Sequence, residues 1–348
     1  MEFLVGNQKK FIEFISELDA DDKIAILSHT DGDGIFSALI MSRVLGKVDF
    51  VDFIQYKHNM LEEYVEKLKK RKINKVLISD LAVGGDFENI KKIEKFADIL
   101  VIDHHELIMD LNSERTTMLK TNTKYPASYI CYKLFSKIQH VPCWMGVIGT
   151  LSDSTHKYRK ENAEEIFDDF DFRGCERKNY FKETVILGNT LVYFKDNVLR
   201  IFNLLKDMKE FNNLKNLEKF SDKVEKQINY FVNDFESNKE VHEDIIFYQF
   251  KPDYSINSIV STILSLKHKD STLIIIKENK NQDDKTSLAS VSCRSQNANR
   301  NCPEVLKAGI KGIPNSTAGG HAKAAGANFP LKYIDTFKTN ILNILKSE

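Results

Sequence analysis

Residues 23–45, KIAILSHTDGDGIFSALIMSRVL, decide the fold of the first half of the chain. The apolar run 24–27 has the length and composition of a buried strand, and residues 38–45 have those of a helix. Between them, residues 28–34 form a tight polar turn that contains two glycines. A strand, a short turn and a helix in this order predict the beginning of an α/β sheet domain.

An apolar run followed by an acidic turn occurs twice more in this half of the chain. Residues 76–79 precede Asp80, and residues 99–102 precede Asp103. Helical patterns separate these strands, so the strands should be parallel and their carboxyl ends should share one edge of the sheet. We therefore predict that the acidic and histidine side chains of the three turns meet at that edge. They are His29, Asp31, Asp33, Asp80, Asp103, His104 and His105.

Strand and helix patterns alternate from residue 23 to about residue 151, which predicts an α/β fold with a doubly wound, largely parallel sheet. Residues 158–171 are heavily charged and indicate a surface excursion, and apolar patterns at helical spacing over residues 198–238 indicate long helices. Alternating patterns resume at residue 245 and end in a glycine-rich turn and a last helix. The predicted organisation is a first domain over residues 1–195, a helical connector over 196–240 and a smaller C-terminal α/β domain over 241–348.

The composition limits the partners and the compartment. The chain has 348 residues, enough for two ordinary domains, and its 50 basic residues balance its 50 acidic ones, so no overall positive charge indicates long non-specific nucleic-acid binding. Its five cysteines are odd in number and include no CxxC pair. This pattern argues against a disulfide framework and a thiolate zinc site, and it favours the cytoplasm. Neither a signal peptide nor an apolar run of about 20 residues is present, so we expect a soluble protein.

The side chains predicted to meet at the sheet edge are metal ligands by chemical type. Carboxylates and imidazoles without thiolates suit Mn²⁺, Mg²⁺, Zn²⁺ or Fe²⁺, and an oxygen-rich set favours the harder ions. Asp153, in GTLSDS (residues 149–154), is a further candidate ligand. So many ligands exceed the need of one ion. Two ions about 3.5–4 Å apart, bridged by a carboxylate, would use them and would stabilise the attacking and leaving oxygens of a phosphoryl transfer.

Each of these aspartates, taken singly, also has a plainer interpretation. An aspartate after a strand is commonly a helix N-cap, and Asp33 or Asp86 alone would be interpreted in that way. The plainer interpretation weakens because four of the nine histidines fall in strand-end or glycine-rich turns, where scattered surface histidines would not concentrate. These four are His29, His104, His105 and His321.

Taken in order, the motifs resemble those of the DHH phosphoesterases, a family named after the triplet at residues 103–105. HTDGDG (29–34) with Ser37, SDLAV (79–83), VIDHHE (101–106) and GTLSDS (149–154) resemble the first four family motifs. AGGHAKAAG (318–326) is similar to the GGH motif of the family's smaller substrate-binding domain, and SCRS (292–295) resembles its arginine-bearing strand. Five ordered motifs over nearly the whole chain make the resemblance specific.

The resemblance implies two divalent metal ions, with Mn²⁺ as the first expectation and Mg²⁺ as the alternative. The first ion would be held by His29, Asp31 and Asp80. The second would be held by Asp33, Asp80, His104 and Asp153, so that Asp80 bridges the two. Catalytic roles are implied for Asp103, His104 and His105. Asp103 would orient the imidazole of His104, and His105 would face the substrate phosphate.

The resemblance also implies a set of substrate-binding residues. The glycines near residue 320 allow backbone N–H groups to approach an anion, and a nearby arginine can bind a phosphate with two hydrogen bonds. A plain turn and a solvated strand residue are the alternative interpretations without the resemblance. The implied set is His105, Arg294, Gly319, Gly320 and His321.

Residues 1–195 would then be the catalytic, metal-binding DHH-type domain, and residues 241–348 the substrate-binding domain. The expected activity is that of a RecJ-like phosphodiesterase or exonuclease, which hydrolyses terminal phosphodiester bonds of single-stranded DNA or RNA, or of short oligonucleotides, by two-metal activation of water. Two alternatives stay open. One is a small-nucleotide phosphatase or cyclic-dinucleotide phosphodiesterase with the same metal centre, and the other is a non-catalytic scaffold that associates with replication or repair proteins.

Overall fold

The computed structural model describes residues 1–153, 160–195, 197–208, 210, 214–279, 287–297 and 300–345. It divides into two compact units, Met1–Ser221 and Asp222–Glu348. The division falls inside the segment that the sequence predicts as a helical connector. Each unit is built on its own six-stranded sheet.

The first unit contains a largely parallel sheet. Its strands are Phe3–Val5 (β1), Ile24–His29 (β2), Phe50–Ile54 (β3), Lys75–Ser79 (β4), Asp98–Asp103 (β5) and Thr116–Thr121 (β6). The order across the sheet is β1-β6-β5-β4-β2-β3, and every neighbouring pair is parallel except β1 with β6. Because β3 and β4 lie on opposite sides of β2, the winding direction reverses there, and such a switch point is where ligands bind in open α/β sheets.

Helices cover both faces of this sheet. They are Gln8–Ser16 (α1), Gly32–Leu45 (α2), Glu62–Lys70 (α3), Phe87–Ile93 (α4), Ala127–Phe135 (α5), Cys143–Ser152 (α6), Lys160–Phe172 (α7), Phe181–Phe194 (α8) and Val198–Leu205 (α9). Ile26 and Leu77 belong to the apolar core that includes α2, α5 and α6, whereas their neighbours Leu27 and Ile78 belong to the core that includes α3 and α4. Both sheet faces are therefore buried, which explains the continuous apolar runs of the strands. The predicted α/β fold class is confirmed.

Two elements of the first unit differ from the sequence interpretation. Residues 158–171 do not form only a surface excursion, since α7 buries Ile166, Phe167 and Phe170; the first two residues of that range lie outside the described residues. The sequence pattern does not predict β6, TTMLKT, because threonines and a lysine replace the apolar alternation. Pairing with β5 and β1 buries most of this strand nevertheless.

Cys143 and Cys175 form a disulfide with their Cα atoms 6.3 Å apart. The cysteine pattern argued against a disulfide framework and gave no sign of this single crosslink. It forms because α7 packs on α6 and brings together two cysteines that are 32 positions apart in the sequence. The other three cysteines, Cys131, Cys293 and Cys302, are buried and unpaired by disulfides.

The second unit is a smaller α/β structure with a mainly antiparallel sheet. Its strands are Glu240–His242 (β7), Ile245–Phe250 (β8), Thr272–Asn279 (β9), Leu288–Ser295 (β10), Thr317–His321 (β11) and Ala324–Pro330 (β12), in the order β11-β12-β10-β9-β8-β7. Its helices are Asn257–Lys267 (α11), Cys302–Gly309 (α12) and Ile334–Leu345 (α13), while Lys215–Asn238 (α10) contains the division between the units. The predicted glycine-rich turn is the β11–β12 hairpin. Among the described residues, no helix combines the length and apolar character needed to cross a membrane.

Candidate metal centre

The carboxyl ends of β2, β4 and β5 place the predicted ligand residues at one edge of the first sheet. β2 ends at His29, Asp80 directly follows β4, and β5 ends at Asp103. In the parallel register, Ser28 lies opposite Ser79, and Ser79 lies opposite Ile102, so the three strands end level with one another. The turns that follow them therefore meet, although they are far apart in the sequence.

The first group of side chains consists of His29, Asp31 and Asp80. The Nδ1 atom of His29 lies 3.1 Å from Oδ2 of Asp31 and 3.7 Å from Oδ2 of Asp80. One ligand atom of each residue lies within 4.8 Å of the others, which is close enough for one metal ion to contact all three. These are the residues that the family resemblance assigns to the first ion.

The second group consists of Asp33, His104 and Asp153, all of which are buried. Their ligand atoms also lie within 4.8 Å of one another. Asp153 reaches the group from the end of α6, the helix of the fourth motif. The last residue of that motif, Ser154, lies outside the described residues.

Asp80 lies between the two groups. Its Oδ1 atom is 3.3 Å from Nε2 of His104, and its Oδ2 atom faces His29. A third group that could hold a metal combines Asp80 with His104 and His105. Asp80 therefore lies beside residues of both groups, although it is not one of the three residues of the second group.

The electrostatics of the site favour a bound cation. Burial and the neighbouring charge of Asp80 raise the pKa of Asp33, and burial and the charge of Asp31 raise the pKa of Asp80. Burial lowers the pKa of His29 and His104, but the carboxylates around them outweigh it and raise each pKa to about 10. Positive charge in this cluster is thus strongly stabilised.

The residues present also fit divalent ions because the cluster contains a buried polar atom that lacks a hydrogen-bond partner. Within the part of the chain that the structure describes, Oδ2 of Asp80, which faces His29 in the ligand cluster, is buried without a hydrogen-bond partner. Buried polar atoms of this kind are uncommon and call for an explanation such as an ion or water. The mixed set of carboxylate oxygens and imidazole nitrogens, without thiolates, suits Mn²⁺ or Mg²⁺.

Two of the aspartates combine helix capping with a place in the ligand cluster. Oδ1 of Asp31 accepts a hydrogen bond of 2.9 Å from the Gly34 amide and caps α2. Asp33 accepts hydrogen bonds of 2.7 and 2.8 Å from the amides of Ala127 and Ser128, at the beginning of α5. A carboxylate has enough lone pairs for both tasks, and these amides fix its orientation.

Asp86 has a structural role, but its side chain does not form the N-cap hydrogen bond that the plainer interpretation predicts. Its carboxylate accepts hydrogen bonds of 2.6 Å each from the Leu61 amide and the Asn89 side chain. It joins the loop after β4 to the beginning of α3 and belongs to none of the ligand groups found among the described residues.

Asp103 contacts His105, so the expectation that it orients His104 is wrong. Oδ1 of Asp103 lies 2.7 Å from Nδ1 of His105, and Oδ2 pairs with the ammonium group of Lys120. Side chains alternate along an extended segment, so residues 103 and 105 share one side while His104 lies among the metal-ligand residues. Burial opposes the ionised form of Asp103, but His105 and Lys120 outweigh it and lower its pKa.

Sequence reasoning missed two residues of the site, Lys120 and Tyr56. Lys120 lies opposite Asp103 in the β5–β6 register and is almost fully buried. Tyr56 follows β3 by two residues, and Ile54 at the end of β3 lies opposite His29. The only available signal was position, because both residues are close to the sheet edge at which the motifs end.

In the second unit, the residues predicted to bind substrate lie on neighbouring strands. Arg294 on β10 lies opposite Ala324 on β12, which lies opposite His321 on β11. Directly opposed residues of antiparallel strands project from the same face, so Arg294 and His321 share a face of this sheet. Gly319 and Gly320 are exposed. Gly320 has a φ of 137°, a backbone angle that residues with a side chain rarely adopt.

Comparisons with known proteins agree with this architecture. The family model "DHH family, N-terminal domain" matches residues 23–166, whereas no curated protein sequence matches the chain. The fold is similar to RecJ from Thermus thermophilus in complex with Mn²⁺, with a TM-score of 0.64, 12% identity, and coverage of 98% of this chain and 55% of that chain. The chain thus spans about half the length of that protein.

Two further solved structures align with this chain over almost the whole length of both proteins. Exonuclease RecJ bound to manganese is similar with a TM-score of 0.65 and 14% identity, over 98% of this chain and 94% of that chain. CDC45 from Entamoeba histolytica is similar with a TM-score of 0.59 and 10% identity, over 97% of this chain and 99% of that chain. At these identities the likeness concerns the fold.

Proposed function

Because the match over residues 23–166 and the shared fold make this chain a RecJ-like member of the DHH family, we propose that it is a metal-dependent phosphodiesterase. Its proposed activity is that of an exonuclease, removing terminal nucleotides from single-stranded DNA or RNA, or from short oligonucleotides. A metal-dependent phosphoesterase in the general sense is supported by the family match and by the clustered ligands. The nucleic-acid substrate is the more specific part of the proposal.

The convergence of two ligand groups around Asp80 is the observation that carries the proposal. His29 and Asp31 lie on one side of this carboxylate, and His104 lies 3.3 Å from it on the other. We assign the first ion to the group of Asp80 with His29 and Asp31, and the second to the group of Asp33, His104 and Asp153 with Asp80 as the bridge. When bound, two such ions would lower the pKa of a water molecule and stabilise the attacking and leaving oxygens of a phosphodiester.

The protein itself contributes orientation and charge on the substrate side of this cluster. Nδ1 of His105 faces the carboxylate of Asp103, and Nε2 lies 2.9 Å from the Tyr56 hydroxyl, so we propose that Nε2 donates a hydrogen bond to a phosphate oxygen bound beside that hydroxyl. His105 is partly exposed, unlike the buried His104. This difference supports separate roles, with His104 as a metal ligand and His105 as a phosphate contact.

Anchoring of the substrate is assigned to the second unit. Arg294 carries a fixed positive charge with several donors, and its Nη2 atom lies 3.2 Å from the Ser258 hydroxyl, which orients the guanidinium group. His321, on the same face of the sheet, supplies a further donor, and the exposed glycines Gly319 and Gly320 allow a ligand to approach the backbone closely. These donors fit a phosphate group.

The alternative functions differ from an exonuclease in their substrate, or have no substrate at all. A small-nucleotide phosphatase or a cyclic-dinucleotide phosphodiesterase would use the same ligand residues, so the metal centre does not distinguish them from an exonuclease. Similarity in fold to CDC45 is compatible with a scaffold in a replication or repair assembly. A scaffold has no need for two converging ligand groups, and we therefore favour an enzyme.

Hydrolysis of end-labelled oligonucleotides tests the proposal. Single-stranded DNA and RNA, from dinucleotides to long strands and labelled at either end, are incubated with Mn²⁺ and with Mg²⁺. We expect stepwise loss of nucleotides from one end, abolished by Asp80→Ala and by His104→Ala. Asp110→Ala is the matched control, because Asp110 is an exposed aspartate that bonds only to nearby Asn112 among the described residues, and it should leave the rate unchanged.

Cleavage of a bisphosphate or a cyclic dinucleotide, without cleavage of any oligonucleotide, would replace the exonuclease by one of the alternatives. Absence of hydrolysis of all three substrate classes, in a protein that still binds Mn²⁺ in calorimetry, would contradict the enzymatic assignment and favour the scaffold.

A further inference from the structure

Tyr56 contacts three residues of the candidate metal centre without belonging to any of its sequence motifs. Its hydroxyl group donates a hydrogen bond of 3.0 Å to the backbone carbonyl of Asp80. The same oxygen lies 2.9 Å from Nε2 of His105. Its ring packs on His29, with the ring centroids 4.6 Å apart. One side chain therefore touches a ligand of the first group, the bridging residue and the predicted phosphate contact.

Tyr56 contacts Asp80 at a residue whose backbone conformation is unfavourable. Asp80 has a φ of 57°, a left-handed conformation that residues other than glycine seldom adopt. Such a conformation persists only where the surroundings hold it. The Asp80 amide donates to the carbonyl of Ile102 at 3.1 Å, and the Asp80 carbonyl accepts from Tyr56. Tyr56 thus provides the second of two hydrogen bonds, one to the amide and one to the carbonyl of Asp80, that hold its backbone.

Tyr56 also contacts the imidazole ring of His105, and its hydroxyl lies close to both ring nitrogens. Nδ1 of His105 lies 2.7 Å from Oδ1 of Asp103, while the Tyr56 hydroxyl lies 2.9 Å from Nε2 and 3.2 Å from Nδ1, so it contacts the part of the ring between the two nitrogens. The ring centroids of Tyr56 and His105 are 5.3 Å apart. Asp103 and Tyr56 together contact the imidazole ring at two points, which limits its rotation.

The loop that carries Tyr56 is itself anchored at both ends. At its beginning, Ile54 is the last residue of β3 and pairs with His29. At its end, the Leu61 amide donates a hydrogen bond of 2.6 Å to the buried carboxylate of Asp86, which lies in the loop after β4. A tyrosine on a loop fixed in this way can position other side chains.

We propose that Tyr56 is a positioning residue, which holds the left-handed backbone of Asp80 and the imidazole ring of His105 in the geometry needed for metal binding and phosphate contact. This inference rests on the proposed phosphodiesterase function for its kinetic part only. Its binding part concerns the orientation of Asp80 and is independent of the substrate.

Tyr56→Phe tests the proposal, because it removes the hydroxyl group and keeps the ring that covers His29. Tyr64→Phe is the matched control. The Tyr64 hydroxyl likewise donates a hydrogen bond, in this case to the carboxylate of Asp52 at 3.1 Å, but Tyr64 lies on α3 and Asp52 belongs to no ligand group among the described residues. Both variants are compared with the parent protein by Mn²⁺ calorimetry, by thermal unfolding and by kinetics on the oligonucleotide that the parent cleaves.

For Tyr56→Phe we expect Mn²⁺ binding weakened about tenfold and kcat lowered about tenfold or more, with KM little changed, because partners that orient ligands contribute effects of this size. Tyr64→Phe should leave Mn²⁺ affinity, kcat and KM at parental values. Parental Mn²⁺ affinity and kcat in Tyr56→Phe would overturn the proposal, as would equal losses in both variants that follow thermal stability. If the parent cleaves no oligonucleotide, the exonuclease proposal fails while calorimetry still decides the role of Tyr56.

Discussion

Lys120 and Asp103 form an ion pair in which both side chains are buried, at the paired positions of β6 and β5. The other carboxylate oxygen of Asp103 holds His105. A buried charge without a counter-charge is strongly unfavourable, so Asp103 depends on Lys120 to stay ionised within the core. The orientation of His105 therefore depends on a lysine that lies outside every motif of the sequence.

Lys120→Met should lower the free energy of unfolding by about 3 kcal/mol or more, because it leaves the buried Asp103 without its counter-charge. Urea denaturation followed by circular dichroism measures this change. Lys182→Met is the control, since Lys182 pairs with Glu218 at the surface and its loss should cost less than about 1 kcal/mol. Adding Asp103→Asn to Lys120→Met should restore part of the stability. Equal effects of the two lysine substitutions would contradict the buried-pair interpretation.

Affinity for Mn²⁺ should increase as the pH rises through the neutral range. The pKa values of His29 and His104 are raised to about 10 in the metal-free chain, so both imidazoles are protonated at neutral pH. Mn²⁺ binds the neutral imidazole and must displace these protons, and the cost of displacement falls as the pH approaches about 10. The raised pKa values of Asp33 and Asp80 act in the same direction.

Calorimetry in two buffers with different ionisation enthalpies measures the protons released on Mn²⁺ binding. His29→Gln should release fewer protons and show a shallower dependence on pH than the parent. An affinity that stays constant with pH in the parent, with no proton release, would contradict the protonation states inferred for the metal-free site.

Gly34→Ala should destabilise the first motif and weaken Mn²⁺ binding. A Cβ atom at Gly34 would lie 2.3 Å from the backbone oxygen of His29 and 2.8 Å from its nitrogen, so the turn that carries three ligand residues must shift. We expect a loss of about 2 kcal/mol or more in the free energy of unfolding. Gly188→Ala is the control, because its Cβ would meet no atom within 4 Å on the exposed side of α8, and it should raise stability by up to about 1 kcal/mol. A fall in stability of similar size in both variants would count against the backbone-contact argument.

Arg294→Gln should raise KM for the cleaved substrate and leave Mn²⁺ affinity unchanged, since Arg294 belongs to the second unit and to no ligand group among the described residues. Loss of a charged contact to phosphate is expected to raise KM about tenfold. Lys338→Gln removes a surface charge of the same unit, paired with Glu240, and should leave KM unchanged. An unchanged KM in Arg294→Gln would remove this arginine from the substrate site.

The local part of the architecture was predictable from the sequence. The strand, turn and helix of residues 23–45 follow from an apolar run, two glycines and a second apolar segment, and the structure has β2 and α2 there. Residues that end or follow parallel strands must share an edge, which is why His29, Asp80 and Asp103 could be predicted to lie close together. The roles of the ligand residues came from the family resemblance and stay predictions.

What could not be predicted came from contacts between segments that lack a local pattern. β6 contains threonines and a lysine, so nothing in its sequence indicates that Lys120 is buried opposite Asp103. The same holds for the disulfide between Cys143 and Cys175, which depends on how α7 packs on α6.

The sequence by itself determined which side chains gather at the edge of the first sheet, because strand periodicity and parallel connections fix where each strand ends. Only the tertiary structure decided which of those side chains bond to one another. Asp103 holds His105 rather than His104 because the chain alternates sides there and because Lys120 arrives from a neighbouring strand. Tyr56 joins the centre for the same physical reason, since hydrogen bonds between distant segments form only after the sheet has set their distances and directions.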